Sequence, residues 1–193
     1  MEINVEQGYI ILRHELGFSP IGWAIRKLTE SFWNHVGGIV VDDDNSVYVI
    51  EAQMTGVAKT PIAEFIDPKK YIIKIVALNP DAFAPGEYER AIGKSTIFLR
   101  AKVGAKYDKR AIIWLAISYT FLAIFKKPDE NPLQGRREFF CSELICQAWH
   151  GTSSIVEHLF AGKNWPKAEC STITPKDIGK TVNVRFIAGK DVR

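Results

Sequence analysis

Cysteine is scarce in this chain of 193 residues: there are three, and no two are spaced as C-x-x-C. That spacing excludes a zinc ribbon, and the odd number gives no basis for a disulfide framework. The expectation is a chain in a reducing compartment or one indifferent to redox. Charge of one sign is also wanting. Against 22 acidic residues stand 25 Lys and Arg, scattered along the chain, and a net +3 in that form does not read as a nucleic-acid surface. No apolar run reaches the roughly 20 residues of a bilayer span. The nearest, 111–125, carries no charged residue and is followed by Lys126 and Lys127. It reads as a buried or half-buried helix, with contact to a lipid, a membrane or a partner groove as the other reading. Met1 to Gln7 has acidic residues and no apolar stretch, so no signal peptide is read and a cytoplasmic location is expected. Repeats, low-complexity tracts and linkers are missing too. With 47% hydrophobic residues the chain can bury a proper core, and one domain over 1–193 is the expectation.

What the chain does carry is a cysteine where a loop turns into an amphipathic helix, in Phe139-Phe140-Cys141-Ser142-Glu143-Leu144-Ile145-Cys146-Gln147-Ala148-Trp149. Unpaired N–H groups and the positive end of a helix dipole favour thiolate over thiol at such a place, and the thiolate is the nucleophile. In Trp33-Asn34-His35-Val36-Gly37-Gly38-Ile39-Val40-Val41 a lone histidine opens an apolar, β-branched run that reads as a buried strand. A helix-start cysteine with a strand histidine is the papain-like arrangement. Each residue also has a plainer reading: Cys141 as a small buried hydrophobe among phenylalanines, His35 as a satisfied core histidine.

Along the chain, a strand is predicted over Tyr9 to Arg13. A helix follows from Pro20 to Phe32, with Ser19 as N-cap and Pro20 at the first helical position. The histidine strand and Val47 to Ile50 form a hairpin around the acidic turn Asp42 to Asn45, which lacks the later glutamate of a calcium loop. A loop runs through Pro61 and Pro68. Tyr71 to Leu78 is a strand, Pro85 to Val103 a helix, 111–125 the apolar helix, Pro128 to Arg137 a polar loop that delivers Cys141, and Val182 to Ile187 a last strand. Cys141, Cys146, His150, His158 and Cys170 lie close in sequence, but on a helix Cys146 sits roughly 140° around from Cys141, so a shared metal is not expected. Cys146 reads as core and Cys170 as a loop thiol; His14, His150 and His158 are bases by residue type only.

In wording and order, these segments resemble the circularly permuted NlpC-type papain-like cysteine hydrolases of the YiiX kind. Carrying the resemblance are the His35 strand, the Cys141 helix, Gly8-Tyr9-Ile10-Ile11-Leu12-Arg13, Val49-Ile50-Glu51-Ala52, Gly104-Ala105-Lys106-Tyr107-Asp108 and Ile173-Thr174-Pro175-Lys176-Asp177-Ile178. The doubled glycine, Gly37-Gly38, departs from the single one usual there. The resemblance implies an α+β papain-like fold with a central antiparallel sheet packed against helices, and an apolar helical insert around 111–137. It further implies a thiol hydrolase whose catalytic residues are Cys141, His35 and Glu51, acting without a cofactor or metal. The implied substrate is a peptide or acyl-amide of the cell-wall kind. Such a substrate would call for release by lysis or delivery by a phage or secretion machine. Tyr107, from the family's tyrosine motif, is implied to position substrate or donate to the oxyanion. Two other readings stay open: a lipid acyl hydrolase or acyltransferase on the same fold, served by 111–125, and a catalytically silent binding module.

Strand register tests the Glu51 assignment. Side chains on paired strands share a face when the residues are opposite or two apart. A three-residue loop at Asp42 to Asp44 places His35 opposite Glu51. A two- or four-residue loop turns Glu51 away unless a bulge at Gly37-Gly38 restores the phase, and the orienting role then passes to Gln53 or a backbone carbonyl. If the residues converge, Cys141 attacks a carbonyl carbon, His35 moves the proton and Glu51 orients the ring. The backbone N–H of Cys141 is a further oxyanion donor, and Glu143 reads as a helix-start residue complementing the dipole.

Overall fold

Six runs rich in β-branched residues pair edge to edge into one antiparallel sheet in a computed structural model of the chain, which describes residues 5–17, 19–110, 113, 138–150, 170–180 and 184–190. They are β1 (Ile10–Glu15), β2 (His35–Val41), β3 (Val47–Gln53), β4 (Gly56–Pro61), β5 (Tyr71–Leu78) and β8 (Val184–Gly189), in spatial order β4-β3-β2-β1-β5-β8. Two short strands, β6 (Lys106–Tyr107) and β7 (Glu138–Phe139), pair in parallel outside it. The helices are α1 (Pro20–Thr29), α2 (Ile62–Phe65), α3 (Glu87–Lys102), α4 (Cys141–Trp149) and α5 (Pro175–Gly179). The chain is thus mixed α and β around a mainly antiparallel sheet, as expected.

Alternation along the strands divides the apolar residues between two cores. Ile10, Leu12, Val36, Val40, Ile50 and Ala52 belong to a cluster with Leu99 of α3 and Leu144 and Ile145 of α4. Tyr9, Ile11, Ile39, Val49 and Ile75 belong to a second, with Phe65 of α2. Side chains one residue apart point to opposite faces, so the sheet is buried on both sides and its strands read as continuous apolar runs. Burying Ile39 or Val40 completely contributes about 1.5–3 kcal/mol each.

The two central glycines make this packing possible. A Cβ on Gly38 would collide with the Leu99 side chain and crowd Ile145, so the bare backbone lets α3 and α4 close on β2. A Cβ on Gly37 would collide with Val49 and crowd the Ile50 carbonyl. Close approach, not a bulge, is their use: the β2–β3 register is unbroken from Gly37 opposite Glu51 to Val41 opposite Val47.

Several expectations need correction. The helix from Pro20 stops at Thr29, because Glu30 takes a left-handed conformation and its N–H caps the Arg26 carbonyl; its start is as read, with Ser19 accepting from the Gly22 N–H. The stretch before Pro61 is an edge strand, β4, whose Lys, Thr and Pro hid it from a hydrophobicity pattern. Cys146 and Cys170 are not a core thiol and a loop thiol but a disulfide, across 24 residues. The bond ties the end of α4 to the turn Cys170–Thr172, where Ser142 Oγ also donates to the Ile173 carbonyl. From there Thr174 and Asp177 form a capping box that starts α5. Apart from Ile113, the apolar insert at 111–137 lies outside the described residues, as does His158. Among the described residues no helix is long and apolar enough to cross a membrane.

Candidate active site

Cys141 opens α4 directly after Phe140, whose extended backbone (φ −101°, ψ 169°) ends the chain's approach along β7. The N–H groups of the first helical turn have no carbonyl partner inside the helix. Cys141 is a free cysteine, and at 2% exposure its sulfur meets only what enters the cleft it lines. That cleft, about 340 Å³, is also lined by Arg13, His35, Glu51, Gln53 and Tyr107.

His35 is the first residue of β2 and lies at the end of the sheet. The loop to β3 spans residues 42–46, five and not three, so Glu51 faces Gly37 across the ladder rather than His35. An odd loop keeps the phase. Glu51 is therefore one step along the same face as His35, a diagonal pair within side-chain reach. His35 Nε2 lies 2.5 Å from Glu51 Oε2 and donates to it, which leaves Nδ1 free of Glu51 in the cleft that Cys141 also lines.

The carboxylate is held from three sides. Glu51 is fully buried, and its Oε1 accepts from Gln53 Nε2 and from Thr60 Oγ1, each at 2.7 Å. Thr60 reaches it from β4, where Ala58 is opposite Glu51 and Thr60 is diagonal on the same face. Arg13 Nη2 stands 3.8 Å from Oε2. Burial opposes the charge of Glu51, but the bond and charge of His35, the Thr60 bond and the Arg13 charge outweigh it and bring the carboxyl down from 4.5 to about 2. Burial likewise opposes a charged His35. The charge and hydrogen bond of Cys141, and the bond to Glu51, prevail over burial and over nearby Arg13, lifting His35 from 6.5 to about 9. The pair is built to carry an imidazolium between a carboxylate and a sulfur.

Tyr107 reaches the cleft through the short β6–β7 pairing, where it lies beside Phe139 and the Asp108 N–H donates to the Phe139 carbonyl. Burial first, then the charges of Cys141 and Asp108, push its hydroxyl above the ordinary tyrosine range, so it remains a donor. Glu143 is buried in the first turn of α4 and accepts from Gln147 Nε2. The alternative bases do not compete: His14 donates to the Phe32 carbonyl and stacks on its ring, and His150 is exposed beyond the far end of α4. Sequence reasoning missed Arg13 as a site residue and Thr60 altogether. An earlier recognition of β4 would have found Thr60, since its register across Glu51 follows from strand pairing.

No family model matches the chain, and no curated protein matches it. A comparison with solved structures finds the crystal structure of metalloprotein yiiX from Escherichia coli O157:H7, 18% identical, with a TM-score of 0.59 over 96% of this chain and 97% of that one. That protein is described as a metalloprotein. Among the described residues here, no group of three or more His, Cys, Asp and Glu side chains could hold a metal ion, and the Glu51 oxygens are occupied by His35, Gln53 and Thr60. At this identity the likeness speaks for architecture alone, and over nearly its whole length this chain has the YiiX-like fold.

Proposed function

We propose that this protein is a thiol-dependent hydrolase that cleaves amide bonds through Cys141, His35 and Glu51 on a permuted papain-like plan. The observation that carries the reading is the convergence, in one cleft, of a free cysteine at a helix start, a histidine and a buried carboxylate bonded to that histidine. In this reading the Cys141 thiolate attacks the carbonyl carbon, and the helix-start N–H groups and the Tyr107 hydroxyl donate to the oxygen as it gains charge. The His35 imidazolium gives its Nδ1 proton to the leaving amine. Water then attacks the thioester with His35, now neutral, as base, and Cys141 departs as thiolate. Glu51 fixes the ring through Nε2 and stabilises its charge, so Nδ1 always faces the sulfur. Choice of an amide of the cell-wall peptide kind rests on the resemblance to NlpC-type hydrolases.

Paired acyl-amide and acyl-ester activity-based probes test the reading. We expect labelling at Cys141, loss of labelling in Cys141→Ala, and turnover of amides such as peptidoglycan-derived peptides without need of a lipid surface. Ester cleavage that exceeds amide cleavage and is activated by liposomes would move the substrate to lipid acyl groups. An unreactive Cys141 with no turnover of either class would leave a binding module.

A further inference from the structure

Arg13 takes no part in the proton transfers above, yet it stands in the same cleft. It is paired directly with His35 across β1 and β2, so the two side chains share a face. Its guanidinium carbon lies 4.3 Å from the centre of the Phe65 ring and 4.4 Å from that of Tyr71. Two aromatic contacts restrict the swing of a long side chain that is only 18% exposed. The 3.8 Å to Glu51 is longer than a hydrogen bond, and Glu51 already accepts three shorter ones. The donor fork of Arg13 is therefore not spent on Glu51.

A fixed, permanently charged fork of N–H donors beside a nucleophile is the geometry that takes a planar carboxylate in bidentate fashion. Glu15 and Glu64 line the same cleft, and their negative charge weighs more heavily against a polyanion than against a single carboxylate. We infer that Arg13 is a specificity residue that selects substrates carrying a carboxylate next to the carbonyl attacked by Cys141. The inference rests on Cys141 being the nucleophile.

The test alkylates Cys141 of the full chain with iodoacetate and with iodoacetamide, followed by mass spectrometry. In both reactions the thiolate displaces iodide; the reagents differ in a carboxylate against a neutral amide. Expected is a wild-type rate ratio favouring iodoacetate relative to free cysteine. Arg13→Gln should lower that ratio about tenfold, the order of one charge-assisted hydrogen bond, and Arg13→Lys, which keeps the charge without the fork, should lower it less. An unchanged ratio in Arg13→Gln overturns the inference. Equal slowing with both reagents also overturns it, because Arg13 then acts only through His35 and Glu51. Wild-type protein supplies a check free of any folding defect: N-acetylglutamate should protect Cys141 from iodoacetamide better than its neutral diamide, and equal protection counts against the inference. If Cys141 proves unreactive, the hydrolase reading fails separately, and N-acetylglutamate binding to Cys141→Ala, read at the Arg13 Nε–H by NMR, still decides whether Arg13 holds a carboxylate.

Discussion

Replacing Cys141 by alanine should change the acidity of a residue in another element, the ring of His35. In the intact protein His35 is lifted from 6.5 to about 9, against burial, and the influences that lift it most are the charge and hydrogen bond of Cys141. Cys141→Ala removes both. What remains is burial, opposing the charged ring, with Arg13 on the same side and only the Glu51 hydrogen bond in favour. A complete return to 6.5 corresponds to about 3 kcal/mol lost to the imidazolium, at about 1.4 kcal/mol per unit; because Glu51 stays, a fall of at least about one unit is the expected result. The assay is NMR of the imidazole nitrogens and protons across pH 5 to 10, an interval of roughly two units either side of the physiological range. His35 is assigned through a His35→Gln variant. Only four histidines contribute, so overlap is slight. A His35 in Cys141→Ala that titrates within about half a unit of the wild type would refute this, for the sulfur then contributes nothing to the imidazolium.

Glu51→Gln keeps the shape of the carboxylate but not its charge, and kcat/KM should fall by about a hundredfold, less than the complete loss in Cys141→Ala. Equal losses in steady-state assays would make Glu51 essential rather than orienting. The same variant reports on acid stability: the folded Glu51 carboxyl is lowered from 4.5 to about 2, so its contribution is complete above 4.5 and is lost as pH falls through about 2. Urea unfolding should accordingly show the wild type losing up to about 3 kcal/mol more than Glu51→Gln over that interval; parallel curves would refute the shift. Opening the Cys146–Cys170 bond with reductant or by Cys170→Ser frees a loop with ends 24 residues apart, for an expected loss of about 3.5 kcal/mol. Calorimetry should find a melting temperature about 7–14 °C lower, and insensitivity to reductant would argue against the bond. Gly38→Ala drives a methyl into Leu99 and should cost about 1–3 kcal/mol by chemical denaturation; a neutral change would mean that α3 shifts freely.

The places of two candidate site residues were legible because each residue type is rare in its surroundings. His35 at the head of an apolar run and Cys141 at a loop-to-helix junction stand out in one dimension, and both lie where those patterns place them. Glu51 comes from resemblance and parity: the loop has five residues, and an odd length leaves outward the same face that three would. Thr60 and Arg13 were not legible as site residues because their role depends on which strands are neighbours. β1 touches β2 across a helix, and β4 is an edge strand with little apolar signature. The disulfide was missed for a related reason. An odd count argues against a framework but not against one pair and one free thiol, and distance around a helix separates Cys146 from Cys141 without placing Cys170.

Because the sheet separates two apolar clusters, the cleft is a seam at which groups packed on its opposite faces meet. Cys141 is packed with the cluster of α3 and α4, whereas His35 lies against Phe65 of the other, their ring centres 5.9 Å apart. Loosening the packing on either face should move the sulfur relative to the ring. Proteins open locally before they unfold as a whole. On warming or in mild denaturant, the alkylation rate and the histidine titration of this chain should therefore change ahead of its circular dichroism, which makes the thiol a gauge of how well the two faces are packed.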